Sequence, residues 1–105
     1  MPYFDKYIKE LWVESPASNA GNPRILPKDL KSGKQFLKMN GREVFRHAII
    51  RFYEVIIECL SANNLQIKDI DLLIPHQANF RITQMIQKKL GLSNDQVYSN
   101  IHKYG

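Results

Sequence analysis

The residues after position 40 carry an apolar pattern with the period of an α-helix. Asn40 can cap this helix, and Glu43, three residues on, can bond back to the amide of the cap. Apolar residues then recur every three or four positions, at Val44, Phe45, Ala48, Ile49, Phe52, Val55, Ile56, Cys59 and Leu60. The pattern predicts an amphipathic helix of about twenty residues that buries one broad face, and "SANN" ends it.

A short apolar run, "LLIPH", follows this helix and predicts a strand that is covered on both faces, as in a parallel sheet. A second helical stripe comes next, at Ile82, Met85, Ile86 and Leu90, and Gly91 is a typical helix stop. "VYSNI" predicts a last strand and "HKYG" a loop. The order helix, strand, helix, strand predicts an α/β fold with a right-handed crossover between parallel strands.

The first 39 residues have a different composition. "SPASNAGNPRILP" is rich in proline, asparagine and serine, which is typical of a loop, and "ELWVES" could form one strand. We therefore divide the chain into an irregular arm, residues 1–39, and a domain, residues 40–105. So long a loop usually serves a function or joins larger units, so we expect the chain to be a piece of a larger protein.

Composition and charge exclude several classes of protein. No apolar run approaches the length of a membrane span, and the N-terminus lacks the basic start and apolar segment of a signal peptide, so we expect a cytoplasmic protein. The formal charge of +5 suits an acidic partner or ordinary solubility. Most aromatic residues lie on the predicted buried stripe or in the arm, which argues against nucleic-acid binding.

The single cysteine, Cys59, excludes an internal disulfide. A site with four Cys and His ligands would need Cys59, His47, His76 and His102, whose spacing resembles no zinc motif, so we expect no metal. Cys59 lies in line with Phe45 and Phe52 at seven-residue steps. We therefore expect a buried, inert thiol.

The residues after the predicted strand are candidates for a ligand site. Ligands of open α/β sheets bind outside the carboxyl ends of strands, where His76 lies. We expect the next helix to begin at about Ala78, with Asn79 and Arg81 in its first turn, so that free amides and a positive dipole end also point there. Such a group suits an anion or a developing oxyanion. Equally, His76 could cap its own turn, with Gln77 and Asn79 as ordinary loop residues.

The segment "PHQANFRI" closely resembles the histidine motif of the beta-ketoacyl-acyl-carrier-protein synthase III family. These thiolase-fold condensing enzymes start bacterial fatty-acid synthesis. In order, "LWVESPASNAGNPRI", "MNGREVFRHAI" and "VYSNIHKYG" resemble the link between the family's two halves, the start of its C-terminal half and the strand leading to its asparagine motif. The resemblance implies a thiolase-like fold of which this chain is a part.

The resemblance also implies a reaction. A cysteine of the family takes an acyl group, typically acetyl, from coenzyme A, and the acyl group is then condensed with malonyl-acyl-carrier-protein after decarboxylation. A histidine and an asparagine donate hydrogen bonds to the thioester oxygen, and His76 matches that histidine. No cofactor is implied beyond these substrates. The implied partners are acyl carrier protein, the coenzyme A thioester and a second copy of the enzyme.

The resemblance assigns binding roles as well. The segment that faces the carrier protein matches Gln77, Ala78, Asn79, Phe80 and Arg81, of which Arg81 would meet the acidic carrier surface. The pantetheine tunnel matches Met39, Gly41, Arg42, Phe45, Ala78, Asn79 and Ile82. Phe45 and Ile82 could equally be plain core residues.

The sequence departs from the family pattern in two places. It contains no "ACSG" turn, which carries the family's nucleophile, and Cys59 does not match it. The family's asparagine follows directly after the glycine matched by Gly105. We therefore expect this piece to be inactive alone. The alternatives are a related condensing enzyme, with another starter or a role in secondary metabolism, and a non-catalytic module that binds a carrier protein.

Overall fold

The computed structural model describes residues 6–18 and 21–105. Parts of the predicted irregular arm, residues 1–5 and 19–20, lie outside the described residues. The chain divides into two compact units, one ending at Val44 and the other comprising Phe45–Gly105. None of the described helices is both long and apolar enough to cross a membrane.

The first unit contains a small antiparallel sheet. Strand β1, Leu11–Val13, pairs with β2, Leu37–Met39, with Trp12 opposite Lys38. A short helix, α1, spans Pro27–Lys31, and a 3-10 turn at Ile8–Glu10 precedes β1. The strand predicted in "ELWVES" is confirmed, but the prediction of an otherwise irregular arm is wrong. The strand that was missed, β2, has three residues, which are too few to show the alternation that identifies a strand in a sequence.

Charged side chains connect these elements. Lys38 on β2 donates to Glu14 at 2.9 Å, and Lys34 lies 3.4 Å from Glu14 and 3.3 Å from Asp29. Asp29 is buried and accepts a hydrogen bond from the amide of Leu26 at 2.9 Å. This amide, and next Lys34, lower the pKa of the Asp29 carboxyl below its ordinary value of 3.8.

The long helix α2 spans Gly41–Ala62. It begins directly after Asn40, whose carbonyl accepts from the amide of Val44 at 3.0 Å. It ends where "SANN" predicts: Asn64 has a φ of 57°, and the amide of Leu65 donates to the carbonyl of Leu60 at 2.8 Å. The predicted helix and both its ends are confirmed.

The core of the second unit lies against helix α3, Phe80–Leu90. Ile86 and Leu90 of this helix form the buried cluster with Leu92, which follows the helix stop at Gly91. The side chains of α2 packed on this cluster are Ile49, Phe52, Tyr53, Ile56 and Ile57. The face of α2 that contacts the core therefore includes Tyr53 and Ile57, which do not belong to the predicted stripe.

Cys59 lies outside this face, so the prediction of a buried thiol is wrong. Its side chain is exposed, and Asn63 Nδ2 lies 3.9 Å from its Sγ. Val55, one turn earlier, is 61% exposed. The seven-residue spacing places Cys59 in line with Phe52, which does pack on the core, but the elements that cover Phe52 leave Cys59 exposed.

The two predicted strands of this unit meet in a single parallel bridge between Leu73 and Val97. The amide of Leu73 donates to the carbonyl of Gln96 at 2.7 Å, and the amide of Tyr98 to the carbonyl of Leu73 at 2.9 Å. The parallel direction is confirmed, but the pairing is much shorter than predicted. The predicted loop at "HKYG" is wrong, because Ile101–Tyr104 form a helical turn, α4.

Candidate functional site

The loop between the parallel bridge and α3 carries the candidate site, and Asn79 fixes where the helix begins. Its Oδ1 accepts from the amides of Arg81, at 3.0 Å, and Ile82, at 3.4 Å. Asn79 is thus the N-cap in an extended conformation, and α3 starts at Phe80 rather than at about Ala78. Asparagine is among the best N-cap residues, which accounts for the later start.

This cap changes the electrostatics expected at the site. Two of the amides that were predicted to be free for a ligand already bond to Asn79. The helix end therefore offers an anion fewer donors than the sequence suggested. The capping bonds use only Oδ1 of Asn79, so its Nδ2 group keeps both hydrogens for another acceptor.

Gln77 lies in a turn with Ala78 and bonds within the chain at both ends of its amide. Its Nε2 donates to the carbonyl of Pro75 at 2.8 Å and lies 3.4 Å from the carbonyl of Tyr98. Its Oε1 accepts from the amide of Asn100 at 2.7 Å. The side chain therefore holds the loop, although the family resemblance implies that it faces the carrier protein.

The ring of His76 differs from the side chains of Gln77 and Asn79, which form hydrogen bonds within the chain. Its side chain is exposed, and among residues 6–18 and 21–105 no group forms a hydrogen bond or ion pair with the ring. The interpretation in which His76 caps its own turn is wrong, because Asn79 is the N-cap of α3. The imidazole is thus available as a donor on a loop in which Gln77 and Asn79 Oδ1 hold the backbone.

A small apolar cavity of about 40 Å³ lies beside His76. It is lined by Phe52, Pro75, His76, Ala78, Asn79, Ile82, Thr83 and Ile86. This volume has room for a group about the size of a water molecule or methyl, but not for a pantetheine arm. The structure therefore brings together four predicted site residues, His76, Ala78, Asn79 and Ile82, around one recess.

Four residues that line this cavity were not predicted as site residues: Phe52, Pro75, Thr83 and Ile86. Pro75 directly precedes His76 in the predicted motif. Phe52 and Ile86 lie on the predicted apolar stripes, so only their meeting at the loop was missed. Thr83 is buried one turn after Asn79, and its Oγ1 lies 3.5 Å from the carbonyl of Asn79. A polar residue four positions after a cap is a signal that could have found it.

The predicted carrier-facing residues of α3 lie at the surface. Phe80 is 46% exposed and Arg81 is exposed. In the described part of the chain, no carboxylate forms a salt bridge with Arg81. The first turn of α3 therefore presents an aromatic ring and a guanidinium to solvent.

The remaining predicted tunnel residues lie elsewhere in the chain. Met39, at the end of β2, is 60% exposed, and Gly41 and Arg42 are exposed in the first turn of α2. These three belong to the first unit. Phe45 belongs to the second unit and is half-buried, but it does not line the cavity beside His76. Among the residues that the structure describes, no three His, Cys, Asp or Glu side chains form a group that could hold a metal ion.

Comparisons with known proteins agree on one family. A family model described as "3-Oxoacyl-[acyl-carrier-protein (ACP)] synthase III C terminal" matches residues 60–105, which include the whole His76 loop. The beta-ketoacyl-[acyl-carrier-protein] synthase III of Clostridium acetobutylicum is 42% identical over 94 residues, which cover 90% of this chain and 28% of the relative. The chain thus spans little more than a quarter of that relative's length.

Solved structures give the same result. The 3-oxoacyl-[acyl-carrier-protein] synthase III of Aquifex aeolicus has a TM-score of 0.64 and 38% identity, over 68% of this chain and 23% of that one. The beta-ketoacyl-[acyl-carrier-protein] synthase III of Thermus thermophilus has a TM-score of 0.70 and 32% identity, over 92% of this chain and 28% of that one. The α/β fold is thiolase-like, and the chain belongs to the beta-ketoacyl-[acyl-carrier-protein] synthase III family.

Proposed function

We propose that the full-length protein condenses an acyl-coenzyme A starter, typically acetyl-coenzyme A, with malonyl-acyl-carrier-protein in the cytoplasm. The observation that carries this proposal is the exposed His76 ring, which has no hydrogen-bond partner among residues 6–18 and 21–105. It lies beside an apolar recess, and Gln77 and Asn79 on the same loop are hydrogen-bonded. The family of its relatives supports the reaction class. In this proposal the enzyme is a homodimer, and the 105 residues do not catalyse condensation by themselves.

The proposed role of His76 is to stabilise charge that develops during decarboxylation. When the bond between the malonyl methylene and its carboxylate breaks, carbon dioxide leaves, and the electron pair passes into an enolate whose charge lies on the thioester oxygen. A ring N–H of a neutral imidazole, aimed at this oxygen, binds the enolate more strongly than the ground state. The enolate carbon then attacks the acyl thioester on the cysteine, and the cysteine thiolate leaves.

The proposed pantetheine contacts follow from the residues around His76. Ala78 and Ile82 line the apolar recess beside His76, which is too small to hold the arm itself. In the full-length protein these two side chains would form part of the apolar wall that a thin and mostly neutral arm requires. Asn79 uses only Oδ1 for its capping bonds, so its Nδ2 group, which has no acceptor in the described part of the chain, could donate to an amide carbonyl of the arm. Roles for Met39, Gly41, Arg42 and Phe45 in the tunnel remain predictions from the resemblance.

The proposed carrier contact is electrostatic. The exposed Arg81, in the first turn of α3, has no ion-pair partner among the described residues and would meet an acidic carrier surface. Ala78 and Phe80 are exposed beside it and would extend this contact. The net charge of +5 favours encounter with an acidic partner.

The direct test of the proposed function is His76→Ala in the full-length protein. We expect decarboxylation of malonyl-acyl-carrier-protein to slow by about two to three orders of magnitude, as for loss of one oxyanion donor. Transfer of the acyl group from coenzyme A to the enzyme should stay within a few-fold of wild type. Single-turnover assays with radiolabelled acetyl-coenzyme A and malonyl-acyl-carrier-protein would measure the two steps separately.

His102→Ala is the matched control, because His102 is also exposed but does not line the cavity. It should leave both steps unchanged. An equal loss of both steps in His76→Ala would contradict the proposed role. A wild-type protein that does not condense acetyl-coenzyme A with malonyl-acyl-carrier-protein would overturn the proposed function itself.

Arg81→Glu tests the carrier contact. We expect the KM for malonyl-acyl-carrier-protein to rise about tenfold or more, since reversing a charge at a rim contact mainly affects encounter. The KM for malonyl-coenzyme A, which lacks the carrier surface, should hardly change. Lys88→Glu makes the same charge change at the other end of α3 and serves as the control. If the two substrates were affected equally by Arg81→Glu, a structural role would be the better account.

A further inference from the structure

Beyond the parallel bridge, the side chain of Gln77 joins the histidine loop to the last segment of the chain. The backbone pairing stops after the bond between the amide of Tyr98 and the carbonyl of Leu73 at 2.9 Å. Two residues later in one segment and four in the other, Gln77 Oε1 accepts from the amide of Asn100 at 2.7 Å. Gln77 therefore continues the connection where the two segments no longer pair directly.

The chemistry of a glutamine side chain suits this position. A primary carboxamide has an acceptor oxygen and a donor nitrogen, as a peptide group does. Gln77 Nε2 donates to the carbonyl of Pro75 at 2.8 Å and lies 3.4 Å from the carbonyl of Tyr98. The amide thus holds the residue before His76 with one atom and the segment that contains Asn100 with the other.

Asn100 in turn starts the last helix. Its amide is held by Gln77, while its carbonyl accepts from the amides of Lys103, at 2.9 Å, and Tyr104, at 3.0 Å. Gln77 therefore connects the start of α4 to the residues on either side of His76. The His76 ring makes no bond of its own within the described residues, so the backbone of its loop determines where it points.

We propose that Gln77 is a positioning residue, which fixes His76 relative to the segment of residues 98–104 and does not contact the carrier protein. The inference rests on the proposed function, and it reassigns Gln77 from the carrier-facing group. Both polar atoms of the Gln77 amide are engaged within the chain, and the side chain is half-buried. A carrier protein could bind this amide only by breaking the connection.

Two substitutions in the full-length protein separate these roles. Gln77→Met keeps the length of the side chain but removes both hydrogen-bonding atoms. Gln77→Glu keeps an acceptor for the amide of Asn100 but cannot donate, when ionised, to the carbonyls of Pro75 and Tyr98. Hydrogen exchange at the Asn100 amide reports on the connection itself and needs no enzymatic activity.

We expect the Asn100 amide to exchange roughly tenfold faster or more in Gln77→Met, and to stay protected in Gln77→Glu. Both variants should lower kcat for condensation by roughly 10- to 100-fold, because small displacements of a catalytic group are costly. The KM for malonyl-acyl-carrier-protein and the rate of acyl transfer from coenzyme A should not change.

A raised KM with unchanged kcat would overturn the proposal and return Gln77 to the carrier contact. Unchanged exchange at Asn100 in Gln77→Met would also overturn it, whatever the kinetics. If the wild-type protein catalyses no condensation, the proposed function fails, and with it the catalytic part of this inference. The exchange result would then still decide whether Gln77 holds the loop.

Discussion

Helices α2 and α3 carry similar apolar stripes in the sequence but are buried to different extents in the structure. α2 has 22 residues, none of which is buried. α3 has 11 residues, and Thr83, Ile86 and Leu90 are buried. The shorter helix is thus the centre of the core, and α2 contributes a face of half-buried side chains to it.

An apolar stripe in the sequence therefore determines which side of a helix is apolar, but not how much of that side is buried by other elements. Ile86 on α3 is 2% exposed, whereas Val55 on α2 is 61% exposed, although both belong to predicted stripes. Coverage depends on the elements that pack against each helix. α3 is followed directly by Leu92, which joins the core beside it.

The largest expected effect comes from truncating the two stripes in parallel. Ile86→Ala should lower the free energy of unfolding of the 105-residue chain by about 2–5 kcal/mol, because it removes buried methyl groups and leaves a cavity. Val55→Ala should change it by less than about 0.5 kcal/mol, as is usual for exposed positions. Urea unfolding followed by circular dichroism would measure both.

The same two substitutions in the full-length protein test whether the exposed side of α2 is covered there. If Val55→Ala then costs as much as Ile86→Ala, the exposed side of α2 is covered by residues beyond those described or by a second copy. If Val55→Ala were already costly in the 105-residue chain, the contrast between the two helices would be wrong.

The N-cap of α3 gives the next largest expected effect on stability. Asn79 caps α3 with two hydrogen bonds from its Oδ1. Asn79→Ala should therefore cost about 1 kcal/mol of stability. Asn79→Asp keeps a capping oxygen and should cost much less, since a negative charge also suits a helix N-terminus.

Thermal unfolding of the wild type and the two variants would compare these costs. In the full-length protein, Asn79→Asp also removes the free Nδ2 group that we assign to the pantetheine arm. A raised KM with normal stability in that variant would separate binding from capping. Equal losses of stability in the Ala and Asp variants would refute the capping role.

The sequence predicted well those features that depend on residues three or four positions apart. The start of α2 after Asn40, its end at "SANN" and the helix stop at Gly91 are all of this kind. Gly91 has a φ of 70°, where glycine is favoured, and the amide of Leu92 donates to the carbonyl of Gln87 at 3.1 Å across this stop. Such features are local, so a short stretch of sequence determines them.

The sequence predicted poorly those features that depend on distant residues. Strand β2, which was not predicted, has only three residues, and it forms because it pairs with β1. Gln77 bonds to Asn100, 23 residues away, so nothing in "PHQAN" alone indicates that its amide is engaged. For the same reason His76 could be identified as a candidate, but the support for its loop could not.

The smallest expected effect concerns the contact between the two helices. Lys89 Nζ, in the last turn of α3, lies 4.4 Å from the centre of the Tyr53 ring on α2. Lys89→Met keeps the apolar stem but removes the cation, so it should lower the free energy of unfolding by about 0.5–1 kcal/mol at this exposed position.

Lys88→Met is the control, because Lys88 lies in the same turn and makes no such ring contact among the described residues. Both variants lose the same favourable interaction with the helix dipole, so the difference between their urea midpoints isolates the ring contact. Equal midpoints would mean that α2 and α3 are held together by apolar packing alone, and that the charge above Tyr53 adds nothing to it.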